Sequence, residues 1–325
     1  MAEPGESETE QQPNAIPVDP EWQNSSDETD SAFGDQLSAF TASLASGVLD
    51  YQYENGRRYH AYDAGSYPMP NDDSEADRMD CFHAMMMVLH EKKLHLAPIG
   101  PSPQRILDLG TGTGIWAIDM GDEYPSAQII GNDLSPIQPD LVPPNVRFIV
   151  DNIEKPWVGE EPFDYIHCRY LSAAIQDWPA LVHQVYENLK PGGWAEFSDY
   201  DIMFYAYDDT LQGTHLYQWI VDIIGACKTM GVEPSPGARL KQMAIDAGFQ
   251  EVVEHVYELP TGPWPIDKKM KVLGIWSALH LLKGLEGFTL ALFTRILGWS
   301  VDQIQVMLSL VRKDVKSPKV HSFQR

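Results

Sequence analysis

Three carboxylates, one amide and a run of glycines hold the chemistry legible in this chain of 325 residues. Asp108 stands two residues ahead of Gly110-Thr111-Gly112-Thr113-Gly114, in the stretch Arg105-Ile-Leu-Asp-Leu-Gly-Thr-Gly-Thr-Gly-Ile115. Glycines on alternate positions allow a tight turn and a close approach of the backbone to a ligand. A dinucleotide loop wants G-x-G-x-x-G to pass a pyrophosphate over a helix N-terminus, and the spacing here is G-x-G-x-G. A carboxylate heading such a loop disfavours phosphate and suits a cation that carries an amino group. S-adenosylmethionine (AdoMet), with its sulfonium and its ammonium, meets that description. Asp133 follows nineteen residues after Gly114, near the distance at which an acid ending a second strand receives ribose hydroxyls. Asp151 and Asn152 close a third apolar run. A side-chain oxygen there can accept from an adenine amino group, and the same pair also suits a turn.

These residues need a scaffold of strands with their carboxyl ends together. Ile106, Leu107 and Leu109 read as a buried parallel strand, and Ile115, Trp116 and Ile118 begin a helix. Further strands are expected over Gln128–Asp133, Val146–Val150, Phe163–Cys168 and Trp194–Asp199. A crossover helix over Trp178–Leu189 is ended by Lys190-Pro-Gly-Gly193. Repeated strand and helix imply a parallel sheet with right-handed crossovers. Arg169-Tyr170 lie at the exit of the fourth strand, where open α/β sheets hold ligands.

Upstream, Leu37, Phe40, Leu44 and Val48 recur at helical spacing. Tyr53-Glu-Asn-Gly-Arg-Arg-Tyr-His60 is expected to cover the cofactor mouth, with a turn at Asn55-Gly56. Ser74-Glu-Ala-Asp77 reads as a capping box for a helix to about Lys93, with Met79, Phe82, Met86 and Leu89 on one core-facing side. His83, His90 and His95 lack metal spacing and read as structural. Downstream, helices are expected over Leu211–Met230 and Leu240–Ala247. Phe249–Leu259 alternates like an edge strand, and Ser300-Val-Asp-Gln303 caps a last helix through Val311. The aromatic stretch Pro260–Trp299 suits an acceptor wall and a core or dimer surface equally.

The whole chain narrows the function classes. Lys and Arg total 23 against 47 Asp and Glu, a formal charge of −24. With no basic cluster to neutralise phosphates, direct nucleic-acid binding is not expected. Cys81, Cys168 and Cys227 form neither a disulfide framework nor a zinc pattern, which favours a reducing compartment, cytoplasmic or nuclear. No metal site is expected. The apolar region Val272–Trp299 is broken by His280, Lys283, Glu286 and Arg295, and the N-terminus lacks signal-peptide blocks, so no membrane association is expected.

Several stretches together resemble the class I AdoMet-dependent methyltransferases, and more narrowly the LaeA-like methyltransferases of fungal secondary metabolism. They are Glu54–His60, Ile106–Trp116, Asn132-Asp-Leu-Ser-Pro-Ile-Gln-Pro139, Val142-Pro-Pro-Asn145, Phe163-Asp-Tyr-Ile-His167 and Leu189-Lys-Pro-Gly-Gly-Trp194. The resemblance implies a doubly wound, mostly parallel, seven-stranded Rossmann-like α/β sheet with an N-terminal helical cap and a helical C-terminal insertion. Residues 1–35 are rich in Glu, Asp, Ser, Gln and Pro with no Lys or Arg. They carry too little apolar surface to order, so a disordered acidic tail is expected there and one methyltransferase domain over 36–325. Within that domain, 36–100 is the cap, 101–200 the cofactor-binding core and 201–325 the acceptor side. The cofactor is AdoMet: Asp108, Gly110, Thr111, Gly112 and Gly114 hold its methionine portion, Asp133, followed by Leu134, the ribose, and Asp151 with Asn152 the adenine. His321-Ser-Phe-Gln-Arg325 stands where family members continue into a last strand, so strand seven is expected to be short. The sulfonium is already an activated electrophile. A hydroxyl acceptor would also need a general base; His167, Tyr170 and Asp199 near the strand ends suit a structural role equally, so none is assigned as one. The expected reaction is methylation of a small, largely apolar or aromatic acceptor. The rival expectation is a nuclear regulator acting with protein partners. A spermidine-synthase-like activity fits the fold, but the Asp-Leu-Ser-Pro-Ile-Gln-Pro block counts against it.

Overall fold

The computed structural model describes residues 50–159 and 161–325. The tail expected over 1–35 and the short amphipathic helix bearing Leu37, Phe40, Leu44 and Val48 lie outside the described residues. The described chain opens on a hairpin of β1 (Gln52–Glu54) and β2 (Arg57–Tyr59). Asn55 and Gly56 turn it at φ 52° and 78°, a pair of positive φ values that matches the right-handed twist of short strands. Helix α1 (Asp73–Leu89) follows, capped by Asp72, whose side chain accepts from the Glu75 amide. The cap therefore falls two residues before the expected Ser74, because Asp72 is already held by Arg57.

The central sheet is built from β3 (Arg105–Leu109), α2 (Ile115–Glu123), β4 (Gln128–Asp133), β5 (Val146–Val150), β6 (Phe163–Arg169), α3 (Trp178–Glu187) and β7 (Leu189–Ser198). Its order is β5-β4-β3-β6-β7 with every pairing parallel. Both faces are apolar, as covered parallel strands require. Ile106, Ile129 and Tyr165 pack under Trp116, Ala117 and Met120 of α2. Leu107, Leu109, Ile130, Ile166 and Cys168 pack on the other face under Leu181, Val182 and Val185 of α3. The Lys190–Gly193 segment does not precede the last strand but bulges within it: the register passes from Phe163↔Leu189 to Tyr165↔Trp194, with Gly192 at φ 81°.

The remaining chain is mostly helical: α4 (His215–Met230), α5 (Gly237–Ala247), β8 (Leu259–Pro260), α6 (Lys268–Arg295), α7 (Val301–Val315) and β9 (Phe323–Gln324). Helices α4, α6 and α7 share one apolar core, with Leu216, Trp219, Leu285, Phe293, Ile304 and Leu308 at its centre. The capping box of α7 forms as expected, Ser300 and Gln303 each satisfying the other's backbone. Among the described residues no helix is long and apolar enough to cross a membrane.

The seven-stranded expectation is corrected: among the described residues the central sheet has five strands. Residues 249–258 form no strand: Phe249 and Val252 pack on the core beneath α3, but Val253 and Val256 are 72% and 65% exposed, so only the start of the segment finds a buried face. The antiparallel terminal pair exists only as β8 with β9, two residues each, in a separate small sheet. Pro260 in β8 has no N–H to donate, which limits that pairing.

Candidate cofactor and acceptor cleft

The order β5-β4-β3-β6-β7 reverses direction between β3 and β6, the topological switch point at which open α/β sheets leave a crevice beyond their carboxyl ends. A cleft of about 1200 Å³, part of it open to solvent, lies there. Asp108, Gly110, Thr111, Gly112, Asp133, Leu134, Asp151 and Asn152 all line it. Gly114 does not. It caps α2 at φ 81°, and a Cβ on it would stand 2.4 Å from Phe148 Cζ. Its job is to bring the helix onto the sheet.

Register brings the first cluster together. Asp108 of β3 is the Cα partner of His167 of β6, and parallel neighbours project to the same face. His167 Nδ1 lies 2.7 Å from Asp108 Oδ1, while Thr111 Oγ1 donates to Asp108 Oδ2 at 2.6 Å. The His167 ring stacks on Trp116 at 3.7 Å and 8°. Burial lowers the His167 pKa, with its hydrogen bond to Asp108 opposing, so the neutral ring donates from Nδ1 to Asp108.

The second cluster ties the glycine loop to the end of β4. Gly112 N donates to Asp133 Oδ2 at 2.8 Å and Ser135 N to Oδ1 at 2.9 Å. Gln138 Nε2 reaches back to the Gly112 carbonyl at 2.6 Å. Burial raises the Asp133 pKa to about 6, against those two amide bonds. Asp151 and Asn152 do form the turn their types allow: Asn152 Oδ1 accepts from Glu154 N at 2.9 Å, and its amide donates to Asp63 at 2.6 Å. Asp151 accepts from Tyr62 Oη at 3.0 Å. Nearby, the buried Asn132 Oδ1 and the Ser66 Oγ have no partner among the described residues. Such orphaned acceptors and donors beside a cleft fit a polar ligand such as a nucleoside.

A third cluster was silent in the sequence. Arg78, 1% exposed, is held by Glu75 Oε1 at 2.5 and 3.0 Å and donates to Tyr170 Oη at 3.2 Å and His280 Nε2 at 2.5 Å. Burial, together with the Arg78 charge, holds His280 well below its usual pKa, so it is neutral. Tyr170 lies at φ 63° and stacks on Phe82 at 4.2 Å. Asp199 fixes the turn that carries it, accepting from the Leu171 and Ser172 amides and the Ser172 hydroxyl. Tyr67, Met79, Phe82 and Tyr170 wall this end of the cleft with Glu75 and Arg78. Met79 thus faces the cleft, Phe82 both lines it and packs in the core, and Met86 and Leu89 pack in that core beside Tyr200 and Leu273.

The 53–60 patch was expected to cover the cofactor mouth, and none of its residues lines the cleft. It buttresses the residues that do. Arg57 grips Asp72 through two bonds of 2.6 and 2.9 Å, and Arg58 binds Asn71 at 3.1 Å. His60 is tied to the carbonyls of Tyr62 and Tyr67. His83, read as structural, lines the cleft and contacts Arg169. No group of three or more His, Cys, Asp or Glu side chains is placed to hold a metal among the described residues.

Comparison with known proteins agrees with this geometry. Residues 81–255 match a family model described as a methyltransferase domain. The methyltransferase pytC of Aspergillus terreus is 43% identical over 86% of this chain and 87% of its own. The secondary metabolism regulator LAE1 of Cochliobolus heterostrophus is 38% identical over 83% and 91%. The protein-methionine methyltransferase laeA of Emericella nidulans is 33% identical over 84% and 74%. A five-stranded parallel sheet, a carboxylate-headed glycine loop at its switch point and this degree of identity lead to one conclusion: the chain belongs to the LaeA-like class I AdoMet-dependent methyltransferases.

Proposed function

We propose that this methyltransferase acts on a small, largely apolar or aromatic acceptor of fungal secondary metabolism, through the cleft at the β3/β6 switch point. The observation that carries the reading is the convergence of Asp108, the glycine loop and Asp133 on that cleft, with an aromatic wall of Tyr67, Phe82 and Tyr170 opening from it. AdoMet supplies the activated methyl group when bound. Asp108, oriented by His167 and Thr111, is suited to the ammonium end with Gly110 and Gly112 beside it. Asp133 is suited to the ribose hydroxyls with Leu134 at its side, and Asp151 with Asn152 to the adenine edge. The protein's work on the acceptor is placement and exclusion of water, for which the rings around Tyr170 and the thioether of Met79 provide an apolar surface. Membership of a family with the pytC methyltransferase at 43% identity favours this over a regulatory role.

The regulatory reading has its own support in the relatives named as regulators and in the acidic composition of residues 1–35. In that reading the acceptor is a protein and the compartment nuclear. Titration calorimetry with AdoMet, beside Asp133→Ala, tests the common part. Wild-type binding that the substitution weakens supports it, and a folded wild type that binds nothing overturns it. Labelled methyl transfer into small molecules from a fungal extract, against transfer into its proteins, then decides between the two acceptors.

A further inference from the structure

Arg169 ends β6 two positions beyond His167, so the two side chains share a face above the sheet's carboxyl edge. His167 is the register partner and hydrogen-bond partner of Asp108. Arg169 therefore stands beside the carboxylate that heads the glycine loop, and both line the cleft. Its Nη2 donates to His83 Nδ1 at 3.0 Å, and no ion pair to it exists among the described residues. Arginine can only donate, so His83 Nδ1 is the acceptor and Nε2 carries the proton. Nε2–H donates in turn to Asp119 Oδ2 at 3.0 Å. The chain Asp119–His83–Arg169 fixes one edge of the guanidinium, which lies over the Phe82 ring at 5.7 Å in the wall of the cleft.

A guanidinium withdrawn from water without a carboxylate partner is costly. Burial lowers the Arg169 pKa, and among the groups that oppose this the pull of Asp108 is the largest. The pairing of one fixed anion with one fixed, unpaired cation in a single wall matches an α-amino-acid zwitterion. We propose that Arg169, aimed by His83 and Asp119, binds the α-carboxylate of the methionine end of the cofactor while Asp108 takes its ammonium. The inference rests on the AdoMet reading above. The rival use of Arg169, gripping an anionic acceptor, predicts no loss of cofactor affinity when it is replaced.

The test is calorimetry on the full chain with two probes, S-adenosylhomocysteine and 5′-methylthioadenosine, which lacks the amino-acid end. Arg169→Gln weakens S-adenosylhomocysteine by about thirtyfold or more and leaves methylthioadenosine unchanged. As a check that needs no variant, the wild type binds decarboxylated AdoMet more weakly than AdoMet by a similar factor. Equal loss of both probes in Arg169→Gln, or no loss of S-adenosylhomocysteine, overturns the assignment, as does equal wild-type affinity for AdoMet and its decarboxylated form. If the folded wild type binds neither probe, the methyltransferase reading itself fails.

Discussion

The two ends of the cleft are built in opposite ways. The cofactor end is local and backbone-rich: Asp108, Thr111 and Gly112 lie within five residues, and Asp133 receives its bonds from amides. The end we assign to the acceptor is assembled from far-separated side chains. Arg78 of α1 meets His280 of α6 across 202 residues, Tyr170 comes from the exit of β6, and the ions are satisfied by each other and not by backbone. A cofactor site assembled from backbone tolerates change around it, whereas a pocket held by a buried ion pair makes stability and acceptor recognition one problem.

Removing Arg78 should break that coupling with the largest effect. Arg78→Ala leaves Glu75, 3% exposed, without its partner, a loss of about 3–5 kcal/mol expected for a stranded buried ion. Urea unfolding of the single variant and of Glu75→Leu/Arg78→Met checks it; the double variant should regain most of the loss. If the single variant is as stable as wild type, the acceptor end does not depend on the pair.

On the cofactor side the corresponding weak point is packing. Gly114→Ala combines a positive φ with a Cβ 2.4 Å from Phe148 and should cost about 1–3 kcal/mol, read as a lower unfolding midpoint.

A smaller effect tests Asp133 by pH. Its pKa is about 6 when folded against 3.8 for the free group. The folded state then holds the proton more tightly, so the contribution to stability is complete below about 4 and is lost as pH rises through 6. Asp133→Asn should remove this slope, making the variant more stable relative to wild type at pH 7 than at pH 4 by about 1–2 kcal/mol, with solvent screening taken into account. An unchanged difference between the two pH values refutes the buried-carboxylate account. Smallest is Ser300→Ala at the head of α7, where losing the capping box should cost about 1 kcal/mol; an unaltered midpoint would mean that α7 is held by packing alone.

Legibility followed the same division. The strands from Arg105 to Val150, the glycine loop and the carboxylates at their ends were readable because one segment's spacing specifies them. The β3/β6 register, which places His167 on Asp108, follows from topology once the strands are known. Arg78 and Glu75 carry no signal in a helix whose other residues look equally polar, because their meaning comes from α6 and β6. Residues 249–258 misled for the converse reason: alternation of Val and charge is a strand pattern only where a sheet edge receives it. His83 and Arg169 sat in plain view, at the face of a helix and the end of a strand, but only their 3.0 Å contact makes one of them the other's orienting group.

The small β8–β9 sheet sets an order of events. Phe323 bonds to Tyr205 in both directions, Ser322 receives the Thr261 amide, and Arg325 receives the Asp201 amide. Residues 201–205 and Thr261, more than fifty residues apart in sequence, thus both close on residues 322–325. During synthesis the β3–β7 sheet has all of its own strands once residue 198 has emerged, and vectorial folding favours its completion first. The β8–β9 closure needs residues 322–325, which are made after α4, α6 and α7, so it follows the sheet in that order.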